Sequence, residues 1–97
     1  MNAPLVPRAI LRHHVSTIEA KHPLRILGLL PAGSIGHVKD QDALEFLAEK
    51  QPGLDLFGFA QAEVELGALL NRPVGLVLLS GLKDEEAAKL PRVVEPL

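Results

Sequence analysis

The chain has 97 residues, 47% of them apolar, a formal charge of −2 and no cysteine. That length fits one small domain with a workable core, and that apolar content argues against wholesale disorder. A disulfide framework or thiolate site is excluded. Scattered Lys and Arg, three Phe and no Trp or Tyr argue against nucleic-acid binding through backbone charge or base stacking.

Residues 1–6 read as a loose lead to a domain that takes in the rest of 1–97. Pro7 suits a helix start, where its missing N–H needs no partner. Arg8 to Lys21 then reads as a helix, with Leu11, Val15 and Ile18 on one apolar face, ended by Pro23. Leu24 to Leu30 is a compact apolar run and reads as a buried strand. Residues 31–34, Pro-Ala-Gly-Ser, read as a turn. The longest apolar run, 26–31, is far too short to span a bilayer. No membrane association is expected. Residues 1–7 hold no apolar core of signal-peptide length, so the expected address is the cytoplasm.

Asp42 to Lys50 admits two readings. As a strand it places Leu44, Phe46 and Ala48 on one face and Ala43, Glu45, Leu47 and Glu49 on the other. As a helix it has Asp42 as N-cap and Glu45 as the reciprocal member of a capping box. Local propensity alone favours the helix. Pro52-Gly53 closes the segment in both cases.

Asp55 caps a helix expected over Leu56 to Leu70, with Phe59, Ala62, Leu66, Leu69 and Leu70 inward. Asn71-Arg72-Pro73 stops it. Val74 to Leu79 reads as a strand and Ser80-Gly81 as a turn. Lys83 to Leu90 reads as a last helix, its first turn acidic through Asp84, Glu85 and Glu86. Pro91 is expected to end it, with Val93 to Leu97 a short apolar tail. The predicted class is α/β (α+β): a small mixed sheet with helices packed against it.

Three pieces of sequence bear on chemistry. Gly33-Ser34 follows an apolar strand, where a turn frees backbone N–H groups to meet a phosphate. A divalent metal nearby would need carboxylates at alternate positions of the next strand. His13, His14, His22 and His37 show no metal-ligand spacing. His37, close to the turn, is the one placed to contact a phosphate.

Pro52 to Leu82 carries a resemblance. Leu56-Phe57-Gly58-Phe59, Glu63-Val64-Glu65-Leu66, Leu69-Leu70-Asn71-Arg72-Pro73-Val74, Leu76-Val77 and Gly81-Leu82 together resemble the minimal nucleotidyltransferases. These are small members of the DNA polymerase β-like superfamily. Read backwards from that anchor, Pro52-Gly53 and Glu49 also align, and Gly33-Ser34 falls on the family's Gly-Ser. The resemblance implies a nucleotidyltransferase-like fold over Arg8 to the end. It implies a site made of Gly-Ser, then Asp-x-Asp on a strand, then a third Asp on the following strand. The acids hold Mg²⁺ against the triphosphate of an incoming nucleotide, and the Gly-Ser turn holds its outer phosphates.

This chain departs from that pattern at each acid. The first Asp position falls on Ala43, the second on Glu45 and the third on Gly75. An alternative register lays Asp40-Gln41-Asp42 on Asp-x-Asp, but it shortens the loop and puts polar Gln41 where an apolar residue is needed. Leu44 fits that place. The resemblance therefore yields Gly33, Ser34 and His37 as candidate phosphate or nucleotide contacts. Glu45 is the candidate catalytic acid, and Glu45, Asp42 and Asp40 are the candidate metal ligands.

Two function classes follow. One is a non-catalytic or weakly active binding partner with a degenerate metal site, by family resemblance an antitoxin-type partner of a HEPN-domain protein, or a homo-oligomer. The other is an active Mg²⁺-dependent enzyme moving AMP from ATP to a protein partner. Ala43→Asp with Gly75→Asp is expected to restore metal binding if the preferred register holds.

Overall fold

The fold was obtained as a computed structural model, in which residues 6–31 and 43–97 are described. Helix α1 spans Arg8–Lys21, strand β1 Leu24–Leu30, strand β2 Leu44–Lys50, helix α2 Leu56–Leu70, strand β3 Val74–Leu78 and helix α3 Asp84–Val93. A 3-10 turn over Leu79–Gly81 links β3 to α3. The three strands form one mixed sheet in the order β1-β2-β3, with β1 antiparallel and β3 parallel to β2. Among the described residues no helix is long and apolar enough to cross a membrane.

The ambiguous segment is a strand, against its local propensity. Phe46, Leu47 and Ala48 are all fully buried, because β2 is the central strand and both of its faces are covered. Phe46 and Ala48 join α1 and α2 in one core with Leu11, Val15, Ile18, Ala62 and Leu66. Leu47 points the other way, into a smaller core with Leu30 and Leu90. A helix would turn one of these three neighbours toward water. Burial on two faces outweighs a helix preference of a few tenths of a kcal/mol per residue, roughly what separates ordinary residues.

The face assignments of α1 are as expected: Leu11, Val15 and Ile18 are buried. On α2, Ala62, Leu66 and Leu70 are buried and Phe59 packs against them, but Leu69 is 41% exposed. Leu69 lies on the flank of the apolar stripe rather than within it. Asp55 caps the helix as expected, its Oδ1 accepting from the Gly58 N–H at 2.7 Å. Asn71 closes it in the left-handed conformation, φ 55°, which Asn tolerates better than most residues.

Three boundaries differ from the sequence reading. Strand β3 stops at Leu78, because residues 79–81 tighten into the 3-10 turn closed by the Leu82 N–H on the Leu79 carbonyl. Helix α3 begins at Asp84, with Lys83 as its cap residue, and it runs through Pro91 to Val93. Proline there removes one hydrogen bond, yet Leu90 is fully buried and Val93 and Val94 pack on the same core. Tertiary contacts thus carry the helix past its local stop.

The apolar tail is also more than a tail. Glu95 exchanges both backbone hydrogen bonds with Leu29, at 2.8 and 2.9 Å, along the outer edge of β1. A Cβ on Gly28 would lie 2.8 Å from the Glu95 carbonyl carbon and 2.9 Å from Val94 Cγ2, so glycine permits this approach. Arg8 locks the passage, bonding Glu95 Oε2 and the Pro96 carbonyl, each at 2.8 Å. Further along the same edge, the Ile26 N–H donates to Glu19 Oε2 at 2.8 Å. On the opposite edge the Leu76 N–H donates to Glu63 Oε2 at 2.7 Å. The helices therefore satisfy N–H groups that edge strands would otherwise leave open.

Candidate active-site cleft

The parallel pairing of β2 with β3 sets the site. Its register places Leu44 opposite Val74, Glu45 opposite Gly75 and Leu47 opposite Val77. Glu45 and Gly75 share the sheet face that carries Leu47, on the side covered by α3. The Glu45 side chain is 9% exposed, a charged residue among the buried ones.

Its carboxylate lies over the Gly75 backbone. A Cβ built on Gly75 would collide with Glu45 Oε2 and would sit 2.8 Å from Cδ and 2.9 Å from Oε1. The volume that any side chain on β3 would enter is therefore filled by an acid reaching across from β2. The bare α-carbon of Gly75 makes room for the longer side chain of Glu45.

Glu45 opens onto a cleft of about 180 Å³. Its walls come from Leu29, Leu30 and Pro31 at the exit of β1, Ala43 and Leu44 at the entry of β2, Arg72 before β3 and Glu95 of the tail. The described walls alone enclose less than the roughly 300–1,000 Å³ usual for small-molecule pockets. Of the residues singled out in the sequence, Glu45 and Ala43 meet here. Gly33, Ser34, His37, Asp40 and Asp42 lie outside the described residues.

Sequence reasoning missed two wall residues. Arg72 reads in sequence only as part of a helix stop, and Glu95 only as part of an apolar tail. The parallel register would have placed Arg72 beside the entry of β2. No local signal marks Glu95, which arrives by long-range pairing with Leu29.

Among the described residues the acids that line the cleft are Glu45 and Glu95. Glu95 is engaged by Arg8 at 2.8 Å, which leaves Glu45 as the carboxylate on the sheet face. Among the described residues no group of three or more His, Asp or Glu side chains is arranged to hold a metal. Such a cation takes several oxygen ligands.

Across its whole length the chain superposes on a solved structure provisionally named a minimal nucleotidyltransferase. The TM-score is 0.72 at 20% identity, spanning 98% of this chain and 100% of that one. This chain has a nucleotidyltransferase-like fold. No family model matches it, and no curated protein does. At that identity the likeness speaks for the nucleotidyltransferase-like architecture and leaves the chemistry to the residues of the cleft.

Proposed function

We propose that this chain is a nucleotidyltransferase-like binding module whose metal site has been dismantled. It acts by docking a partner protein, with a HEPN-type protein as the family-based candidate. The observation that carries the reading is the pairing of Glu45 with Gly75. In the preferred register these are the second and third acid positions, and Ala43 is the first. Two of the three have lost their carboxylates, and the carboxylate that remains takes the space of the third. Nucleotidyl transfer relies almost wholly on positioning and on metal-borne charge stabilisation. A site reduced to one acid supports binding better than turnover.

The retained carboxylate and the nearby Arg72 favour one other reading, an active enzyme transferring AMP from ATP with Mg²⁺. In that case Glu45 with Asp42 or Asp40 would hold the metal, and Gly33, Ser34 and His37 the phosphates. Of these residues Glu45 lies among the described ones.

Titration of the full chain with ATP and Mg²⁺, followed by calorimetry and by NMR shifts of Glu45 and its neighbours, separates the two. The binding-module reading expects no Mg²⁺-dependent saturation at millimolar ligand. Saturable, Mg²⁺-dependent ATP binding centred on Glu45 would overturn it. Restoration is the reciprocal test. Ala43→Asp with Gly75→Asp alone would leave Glu45 in the space the new β3 acid needs. Ala43→Asp, Glu45→Asp and Gly75→Asp together are expected to gain Mg²⁺ affinity over wild type, and an unchanged affinity would count against the register.

A further inference from the structure

Residues 94–97 cross the outer edge of β1 and pair with it at one position. Glu95 exchanges both backbone hydrogen bonds with Leu29, and the sequence stops the ladder on either side. In an antiparallel ladder the next rungs that exchange bonds lie two residues further along each strand. On one side that brings Val93 to Pro31. Val93 is helical, and Pro31 has no N–H to give. On the other side it brings Leu97 to Leu27, the position skipped by the register shift between Ile26 and Gly28. The Ile26 N–H beyond it is already taken by Glu19. A lone rung has no neighbouring rungs to hold it, and such elements open at low free-energy cost.

No deep anchor compensates. Leu90 of α3 is fully buried, but none of residues 91–97 is: Val94 and Leu97 are half-buried, and Glu95 and Pro96 are exposed. The remaining tie is Arg8, which bonds Glu95 Oε2 and the Pro96 carbonyl. The Arg8 and Glu95 side chains are 54% and 57% exposed, and exposed ion pairs hold weakly. On the β1 side the segment rests against the bare α-carbon of Gly28, where a Cβ would press on the Glu95 carbonyl and on Val94 Cγ2.

The same segment walls the cleft. Glu95 lines it together with Leu29, Leu30 and Glu45. We propose that residues 94–97 are a strap that opens and closes this wall while the rest of the fold stays intact, with Arg8 as its latch. Opening breaks the Leu29–Glu95 rung and hinges at Val94, where α3 gives way to extended backbone. It leaves the cleft open along the outer edge of β1. The structure holds the closed state. The strap acts on access to Glu45 whatever chemistry the cleft serves, so this inference stands apart from the reading of the site as a binding module.

Native-state hydrogen exchange reads the opening. The Leu29 and Glu95 amides are expected to share one protection factor, at least about a hundredfold below that of the slowest β2 amides. Arg8→Ala should lower both by the same factor, about two- to tenfold, the scale of an exposed ion pair with one further hydrogen bond, and leave β2 unchanged. Molar salt should move the wild type in the same direction.

Two variants displace the strap more fully. Gly28→Ala sets a methyl group against the Glu95 carbonyl. Glu95→Pro removes one N–H of the rung and the acceptor of the latch, at an exposed position outside any helix, so it keeps the test open if Gly28→Ala does not fold. In both, relaxation of the Leu30 and Glu45 amides by a soluble neutral nitroxide should rise, while that of Ala62 and Leu66 in the main core stays at the wild-type level. Leu29 and Glu95 amides protected as strongly as β2 would overturn the proposal, because the strap would then open only with the whole fold. Protection of the two that responds separately to Arg8→Ala would overturn it as well. A displaced strap with no rise in relaxation at Glu45 would overturn its role at the cleft.

Discussion

Position 75 ties a local weakness to a feature of the site. Glycine lowers the stability of a strand interior by roughly 0.5–1 kcal/mol relative to alanine, so its place in β3 asks for a reason. The Glu45 carboxylate supplies one, because any Cβ at 75 would enter it. The two residues should therefore be energetically coupled. Gly75→Ala in the wild type is expected to destabilise by about 1–2 kcal/mol, the scale of a small overpacking. In a Glu45→Ala background the same change should be neutral or stabilising, because the obstruction is gone and the entropic gain remains. A double-mutant cycle from denaturant unfolding reads the coupling, expected near 1 kcal/mol or more. A coupling of zero would mean that the carboxylate swings aside without cost. The placement of Ala43 and Glu45 beside β3 followed the register read from the sequence at this scale. The reach of Glu45 over Gly75 did not, because nothing local says which strand lies beside which.

Helices α1 and α2 followed the sequence to the residue, because their signals are local. Pro7, Pro23, Asp55 and Asn71 act within a few residues of where they stand, and the apolar spacing of 11, 15 and 18 or of 62, 66 and 70 sets the buried face. Asp55→Ala removes the acceptor of the Gly58 N–H and is expected to cost about 1 kcal/mol. For a domain near 100 residues this lowers Tm by about 4–8 °C, measurable by calorimetry, while Asp55→Asn should lose much less. The elements that departed from the sequence reading are those whose limits depend on distant partners. Strand β2 has helix-forming residues and is a strand because two cores close on it. Helix α3 passes Pro91 because Leu90, Val93 and Val94 are held by the smaller core. Strand β1 is apolar from Ile26 onward, with Arg25 the one charged residue before it, so the sequence offers no phase for its second half. Its register shift between Ile26 and Gly28 then sends Leu29 to one core and Leu30 to the other.

At the scale of the molecule, three ties join elements far apart in sequence. Arg8 and Glu95 bring the start of α1 to the tail. Glu63 joins α2 to β3, and Glu65 joins α2 to the end of α1. Glu65 accepts from Lys21 at 2.9 Å, and His22 Nε2 lies 3.4 Å from the same oxygen. The hydrogen bond from Lys21 holds the Glu65 carboxyl below its usual 4.5. A carboxyl depressed in the folded state adds stability that is present above its unfolded value and lost as pH falls through the folded one. Acid unfolding of Glu65→Gln should therefore differ from wild type most at pH above 4.5 and progressively less as pH falls below it. Because Lys21 is exposed, the difference should shrink at high salt; a gap that persists in molar salt would count against the ion pair as its source. By itself the sequence determined the elements with local punctuation and the buried face of α1, since caps, prolines and periodicity act over a few residues. It also placed an acid at 45 and none at 43 or 75. The tertiary structure decided that β2 is a strand at all, that β3 lies parallel to it with Glu45 over Gly75, and that Arg72 and Glu95 wall the same cleft. Those outcomes depend on burial and on pairings such as Glu45 with Gly75 and Leu29 with Glu95, between residues far apart in sequence, which no local preference encodes.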